Sequence, residues 1–286
     1  MKKVPFLAAA ALCASACSPS TVALRAAGRL IERGRPALTR ESDPRIAEQA
    51  LPGQLKLLEV LLESDPANPD LLASLAEGWT GYAYLFIEDA DPARAAGLYK
   101  RAAGYGRRLL ALKPAFAALD GASPEAAVSA LASAGPADVR ALYWTAAAWA
   151  GWANAAKSDP EALSALPRAV RLMERVLALD PGYENSGPDL FFGVYYAATP
   201  KIAGGDPARA LKHFDAALAR TERRYLPAQV MMMRHYAVAV LDEDLFRRLG
   251  AEVAAADPAA LTDARLANEA ARLKAKSLLE KTDDLF

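Results

Sequence analysis

The chain has 286 residues, of which 53% are hydrophobic, and its 34 basic side chains balance 34 acidic ones. That balance leaves no electrostatic footprint for nucleic acid or for an anionic membrane surface. The length suffices for a sizeable core, and the abundance of alanine, a strong helix former, points to a helix-rich globular protein.

Residues 1–17 read as a lipoprotein signal peptide ending at Cys17. Lys2 and Lys3 precede an apolar run from Val4 to Leu12 that is too short to span a bilayer. Ala14-Ser15-Ala16-Cys17 follows as a lipobox, with Ala14 where leucine is commonest. Cys17 is then the lipidated residue and the mature N-terminus; the competing reading is an ordinary cleaved signal with Cys17 incidental. Ser18, rather than aspartate, after the cysteine favours the outer membrane over the inner. Cys13 falls in the removed segment, so the mature chain has no disulfide and helix packing alone must hold it.

Residues 18–286 read as a single all-helical domain. After a short tether, an amphipathic helix is predicted near Ala23 to Arg33, with Pro36 and Asp43-Pro44 as punctuation. Leu55 to Leu62 forms a compact apolar helix closed by Asp65-Pro66. Leu71 to Ile87 follows, with Leu75, Trp79, Tyr82 and Phe86 on one face. Asp91-Pro92 opens a helix that passes Tyr99 and reaches Leu112 before Pro114 stops it. Ala115 to Pro136 is rich in small residues, and Ser123-Pro124-Glu125 caps a short helix there. Asp138 to Lys157 is a long helix. Trp144, Ala148 and Trp152 share one face of it, and Leu142, Ala146, Trp149 and Ala153 share another, which predicts burial between neighbours.

From Arg168 to Ala219 the pattern is helix, turn, buried helix, turn, helix. Val170, Met173, Val176 and Leu177 form an apolar stripe with Arg171, Glu174 and Arg175 turned outward. Asp180-Pro181-Gly182 ends that helix. Leu190 to Ala198 is apolar and aromatic on every face and must be covered all round, with Gly193 allowing a neighbouring helix to come close. Phe191 and Tyr195 stand four residues apart, as do Phe192 and Tyr196, giving two aromatic edges. After Gly204-Gly205, Asp206 is an N-cap with Pro207 at the first helical position. Ala210, Leu211, Phe214, Ala217 and Leu218 carry the next stripe, and a closing helix spans about Leu261 to Leu279. Hairpins with a small residue early, an aromatic mid-helix and Ala-Leu near the end resemble tetratricopeptide repeats. The seven Asp-Pro pairs are irregularly spaced. The expected fold class is therefore all-α, with irregular tetratricopeptide-like hairpins wrapped into one compact superhelical domain.

Catalytic chemistry has few candidates. His213 reads as a partly exposed helix residue, and His235, in MMMRHYAV, as a buried, hydrogen-bonded histidine rather than a base. No HExxH, GxSxG or GxxxxGK[ST] pattern occurs, so no catalytic residue, metal or cofactor is assigned. Gly204-Gly205-Asp206 is explained by a helix cap, and Asp242-Glu243-Asp244 by a solvated helix start. Glu184, Asn185 and Asp189 bracket the turn before the aromatic helix and read by default as solvated loop residues, otherwise as polar anchors for a ligand. The aromatics concentrate in the inner helices, where most are core. Tyrosine and tryptophan need partners for their polar atoms when buried, which leaves room for a lined cavity. Trp144, Trp152, Phe191, Phe192, Tyr195, Tyr196 and Asp189 are the ligand-lumen candidates.

LYWTAAAWAGWANAAKSDPEALSALPRAVRLMERVLALD, then FFGVYYA, GGDPARALKHFDAAL and the terminal DDLF, occur in an order similar to one family over nearly the whole mature chain. The sequence resembles the T component of tripartite ATP-independent periplasmic (TRAP) transporters, the TatT family. Where that family commonly carries a histidine just before FFG, this chain has Asp189, so no role of that histidine is carried over. The resemblance implies a periplasmic, lipid-anchored, non-enzymatic accessory protein, a homo-oligomer (a trimer), with no nucleic-acid partner. It implies binding to the periplasmic solute-binding P component and relay of a small apolar or amphipathic ligand. Two alternatives stay open. A general repeat scaffold in envelope assembly needs no lumen, and a cell-wall hydrolase needs a carboxylate in a groove.

Overall fold

Aspartate followed by proline sets four of the helix starts. Asp43, Asp91, Asp159 and Asp206 each accept a hydrogen bond from a backbone N–H two or three residues on, with proline at the first helical position. Asp65 and Asp180 instead stand at helix ends, where the following proline blocks continuation.

The computed structural model describes residue 30 and residues 33–286, and all regular structure among the described residues is helical. A short helical segment covers 33–39. The main helices are α1 (Pro44–Ser64), α2 (Pro69–Tyr82), α3 (Pro92–Ala111), α4 (Pro124–Ala132), α5 (Val139–Ala155) and α6 (Pro160–Leu179). They continue with α7 (Tyr183–Ala198), α8 (Pro207–Arg220), α9 (Pro227–Met231), α10 (Glu243–Ala255), α11 (Arg265–Leu279) and α12 (Thr282–Leu285). π-Helical segments prolong α2 over Ala83–Ile87 and α9 over Met232–Ala237.

Two helices are longer than their sequence suggests, because a continuous buried stripe overrides an internal proline. In α1, Ala47, Leu51, Leu55, Leu58 and Leu62 are all buried, carrying the helix through Pro52 from Pro44 rather than from Leu55. In α6, Ala162, Ala165, Ala169, Leu172, Met173 and Val176 do the same across Pro167. The amphipathic helix expected near Ala23 to Arg33 lies almost wholly outside the described residues.

Successive helices with short connections pack side by side: α2 with α3, α5 with α6, α7 with α8. Short connections make such neighbours antiparallel. α3 also lies against α5 so tightly that a Cβ at Gly106 would sit 3.0 Å from both Cα and Cβ of Thr145. Gly193 performs the expected close approach: a Cβ there would meet the fully buried Phe214 ring at 3.0 Å. α11 returns to touch α1 and the Ala83–Ile87 segment, so the last long helix closes onto the first. One apolar cluster includes Leu55, Leu75, Leu142 and Met173; a second includes Phe214, Met233, Phe246 and Leu249. Among the described residues no helix is long and apolar enough to cross a membrane.

Candidate functional site

The chain enters α7 through a left-handed turn. Glu184, Asn185 and Ser186 have φ of 47°, 57° and 66°. Left-handed geometry costs a non-glycine residue about 1–2 kcal/mol, so three in a row need outside support. Glu184 pairs with Arg35 Nη2 at 2.7 Å, and Arg220 donates to the hydroxyl of the fully buried Ser186. Asp189, 5% exposed, faces His213 Nδ1 at 2.8 Å and accepts from Arg220 Nη1 at 2.7 Å. Burial alone would raise the Asp189 carboxyl; the hydrogen bonds and charge from His213 and Arg220 bring it below the ordinary carboxylate value. Glu184 and Asp189 are therefore not solvated loop side chains, since long-range arginines and a histidine hold them in place.

The two aromatic edges of α7 have different surroundings. Phe192 and Tyr196 are buried, stack at 6.0 Å, and flank the His213 ring at 5.4 and 5.8 Å. Arg209 lies 3.9 Å above Tyr196. Phe191 and Tyr195 stack at 6.4 Å but stay half-buried. Trp152 is sealed in the core beneath Lys100 Nζ, 4.7 Å from its ring centre. Trp144 is half-buried and packs edge-on to Tyr143 at 5.0 Å, its Nε1 without a partner among the described residues. Cys17 lies outside the described residues.

Further residues gather here that the sequence reading passed over. On α5, Arg140, Tyr143, Trp144 and Ala147 form a half-buried stripe while Leu142, Ala146, Ala148 and Trp149 are buried. Arg140 reaches Glu77 at 2.9 Å, and Arg35 reaches the same carboxylate at 2.6 Å, joining α2, α5 and the entry to α7. Burial raises Glu77 in spite of both arginines. A second ionic cluster joins Glu88 and Asp89, which follow α2, to Arg234 and the nearly buried Lys274. Arg234 meets Glu88 at 3.1 Å and Asp89 at 2.5 Å, and Lys274 meets Asp89 at 2.5 Å. Tyr99 donates to Glu88 at 2.7 Å. Burial pushes the neutral His235 down to about 3. Contrary to the sequence expectation, His235 has no hydrogen-bond partner among the described residues. The partners of both clusters lie tens to hundreds of residues apart, so no local pattern could have announced them.

Among the described residues no group of three or more His, Cys, Asp or Glu side chains is arranged to hold a metal ion. Fold and site together define an all-α protein of sequentially paired helices, with two partly buried ionic clusters and an aromatic helix partly open along one edge. A family model described as TAtT, TRAP transporter T-component, matches residues 40–286, and the chain belongs to that family. No curated protein matches the chain. Membership makes it an accessory component of a TRAP transporter.

Proposed function

We propose that this protein is a non-enzymatic periplasmic lipoprotein, anchored through Cys17 and built as a single tetratricopeptide-like domain over 18–286, that binds the transporter's solute-binding P component. In this reading it holds a small apolar or amphipathic ligand in an interior bounded by the Phe191–Tyr195 edge of α7 and the Tyr143–Trp144 stripe of α5. The carrying observation is that these aromatics keep accessible surface while Phe192, Tyr196 and Trp149 beside them are buried. Trp152 and the Phe192–Tyr196 edge are assigned to the core, and Asp189 to positioning α7. Homo-oligomerisation, as a trimer, belongs to the same proposal.

The test is co-purification of the full chain with a candidate solute-binding P component, followed by mass spectrometry of retained small molecules. A stable complex carrying an apolar or amphipathic compound is the expected result. A protein that neither binds that component nor takes up a fluorescent fatty acid or a neutral apolar dye refutes the reading and leaves the envelope scaffold.

A further inference from the structure

Three phenols from separate elements lie within electrostatic range of one another, Tyr143 feeling both Tyr84 and Tyr225, and Tyr84 feeling Tyr225. Tyr84 comes from the π segment after α2, Tyr143 from α5, and Tyr225 from the turn before α9. Packing fixes two of the rings. Lys274 Nζ lies 5.0 Å from the Tyr84 ring, and Tyr143 packs on Tyr183 at 5.0 Å with its hydroxyl over Gly187. None of the three hydroxyls has a hydrogen-bond partner among the described residues. Each ring is enclosed by protein yet keeps part of its surface open. A deep-lying tyrosine hydroxyl normally finds a protein partner, and three neighbouring exceptions call for an occupant, water or ligand.

The two ionic clusters beside these rings are each matched internally, and the further cation acting here, Lys157 on His235, is exposed. On one side Arg35 and Arg140 pair with Glu77 and Glu184; on the other, Arg234 and Lys274 pair with Glu88 and Asp89. Two cations meet two carboxylates in each cluster, so neither leaves a counter-charge for an ionised ligand. An uncompensated ion in such a place is strongly disfavoured by the loss of its hydration. The phenols are themselves neutral, raised first by burial and then by neighbouring carboxylates. His235, also neutral, adds a fourth unpartnered group on the segment that carries Arg234.

We infer that Tyr84, Tyr143 and Tyr225 form a subsite for the polar end of the ligand, and that the end accepted is uncharged and hydrogen-bonding, an alcohol, ester or amide rather than a carboxylate or an ammonium. The inference rests on the interior-ligand reading above. A phenol both donates and accepts, which suits a hydroxyl or carbonyl without a proton being moved.

The experiment is a competition on the full-length protein, stripped of bound lipid, using N-phenyl-1-naphthylamine as a neutral fluorescent reporter. Dodecane and dodecanol compete below their solubility limits, and dodecanoate and dodecyltrimethylammonium below their micelle-forming concentrations. Dodecanol should displace the reporter at least about tenfold more effectively than either ion or the hydrocarbon, the worth of one or two hydrogen bonds. The combined Y84F/Y143F/Y225F variant should reduce dodecanol to the level of dodecane and leave dodecane unchanged. If that variant does not fold, each single Tyr→Phe change is read instead and should weaken dodecanol alone by about two- to fivefold. A wild type that binds no reporter defeats the interior reading and this subsite with it. A wild type that binds reporter but prefers dodecanoate, or whose preference survives the Tyr→Phe changes, overturns the subsite alone.

Discussion

Replacing Gly106 by alanine sets two effects of known size against each other on one helix. Alanine gains about 1 kcal/mol over glycine in a helix interior. Against that, the new Cβ would clash with Thr145 Oγ1 and sit 3.0 Å from its Cα and Cβ, about half an ångström or more inside ordinary contact. The obstacle is partly backbone, so it cannot rotate away, and α3 must draw back from α5. A gap of that size forfeits about a quarter of each contact's attraction. The loss is spread over buried Ala102, Ala103, Leu142, Ala146 and Trp149, which flank the seam. Overpacking of this kind costs about 1–3 kcal/mol, so the balance is a net loss of about 1 kcal/mol. For a protein of this size that lowers Tm by roughly 2–4 °C. Gly97, exposed on the same helix, has nothing within 4 Å of the position an added methyl would take, so G97A should raise Tm by a similar amount. Thermal and urea unfolding of both variants give the comparison. If G106A matches or exceeds the wild type while G97A behaves as stated, the close approach of α3 and α5 is not what the glycine provides.

Asp189→Asn should lower stability at neutral pH. The carboxyl is depressed in the folded state, so its contribution is present above the ordinary carboxylate pKa of about 3.9 and is lost as pH falls through the folded value. The Tm gap between wild type and D189N should therefore narrow below about pH 4; a gap independent of pH would count against the ion pairs. Lys274→Met leaves Arg234 as the one cation paired with Glu88 and Asp89 in this cluster and should cost up to about 3 kcal/mol in urea unfolding. Leu241, exposed and left-handed at φ 55°, should yield about 0.5–1 kcal/mol of stabilisation on conversion to glycine, measured the same way. Cys17→Ser should move the protein from the membrane to the soluble periplasmic fraction, and a wild type found unlipidated by mass would end the anchor proposal.

The elements legible in the sequence are those fixed by local chemistry. Asp91-Pro92, Ser123-Pro124, Asp206-Pro207 and Asp242 announce helix starts because cap and proline act within one turn. Pro52 and Pro167 mislead for the converse reason: each looks like a break locally, and only burial of a whole face keeps the helix running through it. The two π segments leave no mark, since Leu85-Phe86 and Met232-Met233 are as apolar as any α-helical run. At the site, the two aromatic edges are readable from four-residue spacing, but which edge is covered depends on His213 and Arg209 arriving from α8. Asp189 lies in plain view, yet its partners stand 24 and 31 residues away, and its ionic role is a tertiary property.

The π segments also bear on which changes of chain length the protein can accept. A π turn holds one residue more than the α geometry around it needs, and such turns persist where the surroundings require the offset. Glu88 and Asp89 directly follow the first segment, and Arg234 lies within the second. Deleting one residue from either would let the helix relax to ordinary α winding, so the residues inside the turn would lose the offset that aims them while the helix beyond keeps roughly its register. In the second segment Arg234 would then turn away from Glu88 and Asp89, with every charged side chain still present. Substitutions here alter strength, whereas a single deletion alters aim. Gene-length variation in this protein should accordingly fall in the connections, such as the small-residue stretch around α4, and leave the two π segments at constant length.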